Sequence, residues 1–186
     1  MRIISGKLKG KSISFLKSST TRPLKDSVKE SIFNIITHSK LLDLKIEKSS
    51  ILDLYSGFGS FGLECISRGA EKITFVEKNN NIAEILKKNL SNLNINKDIT
   101  IVVDSTTNFL KRIFSDKYEI IFLDPPFTEN SYVEDLKLIK QKKNYNKKHV
   151  VIIHREKRSF EDFNKILDPI LIKEYGRSKI IFGKFL

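Results

Sequence analysis

The feature that most constrains this chain is a regular alternation of short apolar runs with segments of helical periodicity, which begins at Ile51. The apolar runs predict seven strands: ILDLY, KITFVE, ITIVV, YEIIFLD, HVVIIH, PILIKEYG and KIIFGKF. Helical segments separate the first five runs. Strands that are apolar along their whole length and alternate with helices are typical of a parallel sheet with helices on both faces.

Two further details complete the predicted α/β fold. The tight turn GRS joins the last two runs without a helix, which predicts an antiparallel hairpin at one edge of a mostly parallel sheet. Before the core of residues 51–186, a helix is predicted over residues 26–42, with Asp26 or Ser27 as its N-cap. Residues 1–25 form a basic N-terminal extension, and residues 1–186 together suggest a single domain.

Positive charge is concentrated in two segments of the chain. The net charge is +12, from 34 basic and 22 acidic residues. Residues 1–29 hold eight basic side chains and one acidic, and residues 137–158 hold nine basic and one acidic, so the remainder is slightly acidic. Clustered positive charge favours a polyanionic partner such as nucleic acid. A solvated basic surface without such a partner is the alternative.

The apolar runs and the cysteine count also indicate the cellular compartment. No apolar run approaches the roughly 18 residues that a membrane span needs, and no signal peptide is evident at the N-terminus. Cys65 is the only cysteine, so an internal disulfide is impossible and a reducing compartment fits. We interpret Cys65 as a buried helix residue rather than a nucleophile. These observations predict a cytoplasmic protein with no membrane partner.

The stretch DLYSGFGSFGLE, residues 53–64, carries the glycine spacing G-x-G-x-x-G at Gly57, Gly59 and Gly62. This spacing is typical of a loop that cradles a dinucleotide pyrophosphate. However, Asp53 lies four residues before Gly57, where its carboxylate would repel a phosphate group. A carboxylate suits a ligand with an ammonium group instead, and S-adenosylmethionine carries one at its methionine end.

Acidic residues stand at four strand ends: Asp53, Glu77, Asp104 and Asp124. In doubly wound sheets, ligands bind outside the carboxyl ends of the strands. Glu77 lies 20 residues after Gly57, where a ribose-binding carboxylate belongs in dinucleotide and nucleoside sites alike. Asp53, Glu77 and Asp104 are therefore predicted to contact the methionine, ribose and adenine parts of S-adenosylmethionine in turn. For each one alone, a surface loop carboxylate is the alternative.

The fourth predicted strand ends in DPPF, that is Asp124, Pro125, Pro126 and Phe127. Two prolines remove two backbone donors and hold the chain extended. The Pro125 carbonyl and the Asp124 carboxylate then offer two acceptors, which suit the two hydrogens of an exocyclic amino group on a base. Asp124 would stabilise the positive charge that develops on that nitrogen during methyl transfer, and Phe127 would stack on the base.

Taken together, DLYSGFGSFGLE, FVEKN and LDPPF resemble the class I S-adenosylmethionine-dependent methyltransferases that act on amino groups. The N-terminal segments RIISGKLKGKSI and TRPLKDSVKESIFNII are similar to those of the RsmD family, which methylates the exocyclic N2 of a guanine in small-subunit ribosomal RNA. The resemblance covers nearly the whole chain. It implies a Rossmann-like sheet of seven strands whose last strand is antiparallel.

The resemblance also assigns residues. Three groups follow from it: cofactor contacts at Asp53, Tyr55, Gly57, Gly59, Glu77, Asp104 and Ser105; a guanine site at Asp124, Pro125, Pro126 and Phe127; and RNA contacts at Lys7, Lys9, Lys11, Arg22 and Lys25. Leu24 and Ser27 depart from the family pattern, which leaves the chemistry intact and makes the N-terminal RNA contacts less certain.

Other expectations concern His154, metals and assembly. His154 stands where the family has an aromatic-acidic run, and we interpret it as a packing residue at a strand end. No His or Cys cluster accompanies it, so no metal site is predicted. The expected protein is a monomer that acts on ribosomal RNA, either free or within an assembling 30S particle.

Four rival functions explain the same residues less well. A DNA amino methyltransferase shares the DPPF chemistry but normally carries a target-recognition insertion, for which 186 residues leave no room. The basic segments argue against a protein glutamine methyltransferase. A nicotinamide-dependent oxidoreductase explains the glycines but neither Asp53 nor DPPF. A non-catalytic RNA-binding module explains the charge but leaves four strand-end acids without a purpose.

Overall fold

Seven strands form one sheet in the structure, which is a computed structural model that describes residues 1–16, 24–95, 98–112 and 115–186. The strands are β1 Ser50–Leu54, β2 Lys72–Glu77, β3 Asp98–Val103, β4 Tyr118–Leu123, β5 Tyr145–Glu156, β6 Leu167–Tyr175 and β7 Ser178–Phe185. The helices are α1 Asp26–His38, α2 Ser60–Ser67, α3 Asn80–Asn92, α4 Thr106–Lys111 and α5 Tyr132–Lys142. Each of the seven predicted strands is present.

The strand order is β3-β2-β1-β4-β5-β7-β6. Strands β1 to β5 pair in parallel, whereas β7 lies antiparallel between β5 and β6. The predicted fold, a mostly parallel sheet with an antiparallel last strand, is confirmed. Strands β1 to β5 all end at the same edge, which we call the carboxyl edge. Strand order reverses between β1 and β4, and ligands bind at such a switch point in open α/β sheets.

Helices cover both faces of the sheet, as the apolar strands predicted. Helices α1, α2 and α3 pack on one face, where the Phe61 ring lies between those of Phe33 and Phe122, at centroid distances of 5.2 and 4.0 Å. Helices α4 and α5 pack on the other face, where the apolar side of α5 covers β1 and β4. No helix in the described ranges is long and apolar enough to cross a membrane.

The N-terminal residues are integrated into the fold rather than loosely attached. Residues 1–13 form a hairpin in which Ile3 and Ile13 are buried in the core. Its backbone is held by the buried carboxylate of Glu64 in α2, which accepts from the N–H groups of Ile4 (2.8 Å) and Ser5 (3.0 Å). Gly6 is required at the turn because a Cβ there would lie 2.0 Å from the Ser67 carbonyl oxygen.

Helix α1 differs from its predicted form at both ends. Its N-cap is Lys25, without a side-chain cap, so the prediction of Asp26 or Ser27 is wrong. The Asp26 carboxylate lies instead within ion-pair distance of Arg2 (3.4 Å) and Lys29 (3.6 Å). The helix ends at His38 rather than at residue 42, because the chain turns there and buries Leu42 in the core.

Replacing Glu64 tests how the hairpin is held. Glu64→Ala leaves the amides of Ile4 and Ser5 without their acceptors, and we expect it to lower the free energy of unfolding by about 2 to 4 kcal/mol. Urea denaturation measures the loss, and hydrogen exchange at Ile4 and Ser5 should become faster. The control is Glu84→Ala, which removes an exposed carboxylate of α3. Unchanged exchange at Ile4 and Ser5 would refute the assignment.

Candidate active site at the carboxyl edge

The four predicted acids all lie at the carboxyl edge. Asp53 is the penultimate residue of β1, and Glu77 is the last residue of β2. Asp104 and Asp124 directly follow β3 and β4. Because these four strands are consecutive in the sheet, their ends form a row of carboxylates. Such a row repels phosphate groups and favours ligands that carry hydroxyl, amino or ammonium donors.

The glycine loop turns the chain from β1 into α2. Gly59 is the N-cap of α2 and has a left-handed backbone, with φ of 83°. Gly62 is required for close packing, because a Cβ there would lie 2.2 Å from the Phe75 ring. The missing side chain also lets the Gly62 N–H donate to Oδ2 of Asp53 at 3.0 Å. The glycines therefore bring helix α2 directly against β1 and β2.

Asp53 is almost completely buried, with 1% of its surface exposed. Its Oδ1 atom has no hydrogen-bond partner within the described part of the chain. Burial raises the pKa of the Asp53 carboxyl well above its ordinary value, the Gly62 N–H opposes this shift, and the charges of Asp124 and Glu77 add to it. Asp53 thus anchors the first turn of α2. Its direct contact with a ligand ammonium group stays a prediction.

Glu77 joins β2 to the glycine loop. Its Oε2 atom accepts from the Gly57 N–H at 2.9 Å, and its Oε1 atom accepts from the Asn79 N–H at 2.8 Å. A carboxylate offers about four acceptor positions, so Glu77 retains capacity for two hydroxyl donors. This geometry fits the predicted contact with a ribose, because the two hydroxyls of a ribose are adjacent donors.

Asp104 and Ser105 begin helix α4. The Ser105 hydroxyl caps this helix by accepting from the Asn108 N–H at 3.2 Å. Asp104 accepts from the Asn108 side chain (3.2 Å) and the Ser105 N–H (2.7 Å), and it pairs with Arg112. The Asn108 hydrogen bond is the main cause that lowers the pKa of Asp104. An adenine amino group would share an already well-bonded carboxylate, and that contact stays a prediction.

Tyr55 lies at the end of β1 and contacts a carboxylate that the sequence analysis missed. The Tyr55 hydroxyl donates to Oδ2 of Asp135 at 2.6 Å, and the hydroxyls of Thr106 and Thr107 donate to the same buried carboxyl, each at 2.6 Å. Burial raises the pKa of Tyr55, so its hydroxyl stays protonated. Asp135 could have been noticed, because helical spacing places it on the apolar side of α5 with Tyr132 and Ile139.

Asp124, the first residue of DPPF, is held by a histidine. Nδ1 of His154 donates to Oδ1 of Asp124 at 2.8 Å, and the rings of His154 and Phe127 pack edge to face with centroids 5.4 Å apart. His154 packs at the strand end as predicted, and its hydrogen bond to Asp124 is a further contact that the sequence did not predict. The side chain of Asp124 remains 24% exposed, so its carboxylate is accessible to a ligand.

Arg155 fixes the remainder of DPPF, and the sequence analysis missed it. Its guanidinium is buried and donates to the carbonyls of Pro126 (3.1 Å) and Phe127 (3.0 Å). The same group lies 4.6 Å from the centroid of the Tyr132 ring. The Pro125 carbonyl has no donor in the described part of the chain, and its use as a ligand acceptor beside Asp124 stays a prediction.

Most of the predicted RNA contacts lie on the protein surface. Lys7, Lys9, Lys11 and Lys25 are exposed, whereas Arg22 lies outside the described residues. Lys7 binds the Ser67 carbonyl through its backbone, at the C-terminal end of α2. An eight-residue helix is about 12 Å long, so the hairpin tip lies about that far from the glycine loop. These RNA contacts stay predictions.

Part of the clustered positive charge is unavailable to a partner. Lys29 is buried, where its Nζ atom donates to the Arg2 carbonyl at 2.7 Å, and burial lowers its pKa. Arg155 is also buried. The second basic segment is divided between the two ends of β5: Lys147 and Lys148 lie near its start, and Lys157 follows its carboxyl end.

In the described ranges, no cluster of His, Cys, Asp or Glu could hold a metal ion.

Strand order, helix placement and the antiparallel seventh strand define the class I methyltransferase fold. The yhhF protein of Escherichia coli shares it, with a TM-score of 0.83 at 24% identity over 100% of this chain and 97% of that one. SMU.776, which was solved in complex with SAH, has a TM-score of 0.61 at 15% identity over 80% of this chain and 48% of that one.

Sequence comparison identifies the family. The family model described as "Conserved hypothetical protein 95" matches residues 1–184. A relative from Buchnera aphidicola subsp. Acyrthosiphon pisum (strain APS), named ribosomal RNA small subunit methyltransferase D, is 35% identical over 156 residues, which cover 84% of this chain and 78% of the relative. The chain belongs to this family, the RsmD family, as its motifs predicted.

The burial of Asp53 predicts a pH-dependent gain in stability for Asp53→Asn. An amide oxygen can still accept from Gly62 but does not titrate. Because folding raises the pKa of Asp53, stability contributed by this group is lost as pH rises above its unfolded pKa of about 4. Relative to wild type, the variant should therefore gain stability between pH 4 and 7, with a slope of at most about 1.4 kcal/mol per pH unit.

Urea denaturation at a series of pH values measures this gain. The matched control is Asp98→Asn at an exposed position of β3, which should show no comparable trend. A stability difference between Asp53→Asn and wild type that stays constant from pH 4 to 7 would contradict the raised pKa.

Proposed function

We propose that this protein is a cytoplasmic enzyme that transfers a methyl group from S-adenosylmethionine to the exocyclic N2 of a guanine in small-subunit ribosomal RNA. The observation that carries the proposal is the arrangement of DPPF. The Asp124 carboxylate is oriented by His154 at 2.8 Å, and the free carbonyl of Pro125 follows it at the carboxyl edge. The name of the Buchnera relative supports a small-subunit ribosomal RNA substrate.

The residues of the carboxyl edge fit S-adenosylmethionine. Glu77 has acceptor capacity for the ribose hydroxyls beyond its two backbone donors. The buried Oδ1 atom of Asp53 has no donor within the described part of the chain. An ammonium group bound beside Gly57 and Gly59 would supply one. Asp104, with Ser105, would hold the adenine side. The SAH complex of SMU.776 shows that the same fold can hold this chemical group in another protein.

When bound, S-adenosylmethionine would supply an electrophilic methyl group: the carbon–sulfur bond would break with its electron pair on sulfur as the N2–carbon bond forms, and N2 would then lose one proton. Asp124 accepts a hydrogen bond from one hydrogen of the amino group, and the Pro125 carbonyl accepts from the other. Together they orient the nitrogen lone pair, which is otherwise delocalised into the base. The carboxylate also stabilises positive charge on the nitrogen.

The proton that N2 loses has a nearby acceptor. Asp124 is partly exposed, so its carboxylate can take the proton and release it to solvent. His154 keeps the other oxygen bonded throughout this step. Phe127 lies beside His154 and offers a ring face on which the base can stack.

Two acceptors suit any exocyclic amino group, so the geometry of DPPF alone also fits an adenine or a cytosine of RNA or DNA. The basic N-terminal hairpin and the RsmD motifs favour ribosomal RNA and guanine. A non-catalytic RNA-binding role is the remaining alternative, and it provides no reason for orienting Asp124. The identity of the methylated nucleoside distinguishes these functions.

Incubation with labelled S-adenosylmethionine and small-subunit RNA or particles that lack the modification tests the proposal. Nuclease digestion should release labelled N2-methylguanosine. Asp124→Ala should lower kcat about 100-fold or more, because the amino group loses its charged acceptor, while the affinity for S-adenosylhomocysteine changes little. The control Asp162→Ala removes an exposed carboxylate beyond β5. Labelled methyladenosine, or label in protein only, would refute the function.

A further inference from the structure

Phe160 lies in the loop that follows β5 and exposes 92% of its surface, the largest exposure among the large apolar side chains that the structure describes. A single exposed apolar residue is common on protein surfaces and by itself indicates nothing. What distinguishes Phe160 is that the backbone on both sides of it is firmly held. The inference from this loop rests on the proposed function above.

The two neighbours of Phe160 are anchored to the fold. The Ser159 hydroxyl donates to the Glu156 carbonyl at 2.6 Å, and the Ser159 carbonyl accepts from Lys179. The Glu161 carboxylate is buried, where it lies 2.5 Å from Lys179 and 3.6 Å from Arg155. The loop therefore has a fixed course. The Phe160 ring therefore extends into solvent from a fixed backbone.

The position of this loop relates it to the active site. Phe160 is six residues beyond His154, which binds Asp124, and six residues of chain span at most about 20 Å. The Lys157 N–H donates to the Arg177 carbonyl at 2.7 Å, so the loop lies beside the turn between β6 and β7 at the carboxyl edge. Phe160 therefore lies on the carboxyl-edge side of the molecule, which we call the rim, within about 20 Å of His154.

Two exposed arginines lie near the Phe160 ring. Arg158 directly precedes Ser159, and Arg177 lies in the adjacent turn; both side chains are exposed, and neither forms an ion pair within the described ranges. Proteins that bind single-stranded nucleic acid combine aromatic rings, on which bases stack, with cations that contact the phosphates. This rim contains both components.

We propose that the loop formed by residues 157–160 is an RNA-binding element, in which the Phe160 ring stacks on an unpaired base near the target guanine. Arg158 and Arg177 contact phosphates on either side of that base. Because the backbone of the loop is already fixed, little conformational entropy is lost when RNA binds.

A protein partner fits this rim less well. Large contiguous apolar patches on a protein surface often mark sites of protein docking. Phe160 instead stands among charged or polar neighbours, with Arg158 and Ser159 before it and Glu161 and Asp162 after it. A base requires only one ring face and nearby cations, which is what the loop provides.

Three substitutions of Phe160 test the inference. With unmodified small-subunit rRNA, free and in particles, Phe160→Ala should weaken binding and raise KM about fivefold or more, as loss of one stacked base implies. Because Phe160 touches no reacting group, kcat should stay within about twofold. Phe160→Tyr should retain the wild-type KM, whereas Phe160→Leu, which is apolar but has no ring, should behave like the alanine variant.

The control is Leu41→Ala, another exposed apolar residue, located near Asp43, which pairs with Lys148 close to the start of β5. It should leave KM unchanged. Thermal unfolding of every variant should match wild type, because an exposed ring contributes little to stability.

The outcomes separate this inference from the proposed function. If wild type methylates guanine but Phe160→Ala binds RNA normally, the loop inference is overturned and the enzyme assignment remains. If RNA binding depends on Phe160 but no methyl group is transferred, the loop inference holds and the proposed function fails. A Phe160→Leu variant with full affinity would indicate an apolar contact and overturn base stacking. A wild-type protein that binds neither form of the RNA would also overturn the loop inference.

Discussion

The hydrogen bond from the Gly62 N–H to the Asp53 carboxylate is the interaction on which the rest of the site depends. It forms because Gly62 has no side chain, which lets α2 approach β1 and the Phe75 ring closely. This approach sets the course of the glycine loop, whose Gly57 N–H then reaches Glu77 at the end of β2. Two buried carboxylates are thus held by backbone donors before any ligand arrives. These backbone donors fix the positions of both carboxylates within the fold.

The second half of the site is held by side chains. Consecutive residues of a strand point to opposite faces of the sheet, so neighbouring residues of β5 serve different purposes. His154 binds the Asp124 carboxylate, and Arg155, on the opposite face, binds the carbonyls of Pro126 and Phe127. Beyond β5, Glu161 links Arg155 to Lys179 and so connects the support of DPPF with the loop that carries Phe160. One strand end therefore positions both Asp124, the proposed acceptor, and the proposed RNA contact.

Much of this arrangement could be predicted from the sequence. The seven apolar runs predicted the strands. Because parallel strands share their carboxyl edge, the same pattern also predicted that Asp53, Glu77 and Asp124 lie at one edge of the sheet. Pairings between distant side chains could not be predicted, because they depend on tertiary packing. The bond between His154 and Asp124, the buried positions of Lys29 and Arg155, and the contact of Tyr55 with Asp135 belong to this group. The end of α1 was missed because burial of Leu42 outweighs local helical periodicity.

The most direct test of the account is the structure of this protein with S-adenosylhomocysteine bound. We expect the ribose hydroxyls within hydrogen-bonding distance of Glu77, with the Glu77–Gly57 and Asp124–His154 hydrogen bonds of 2.9 and 2.8 Å retained. The sulfur atom should face the side of Asp124, where the amino group is proposed to bind. A ligand bound away from the carboxyl edge, or a site that forms only after Glu77 breaks its bond to Gly57, would contradict the account.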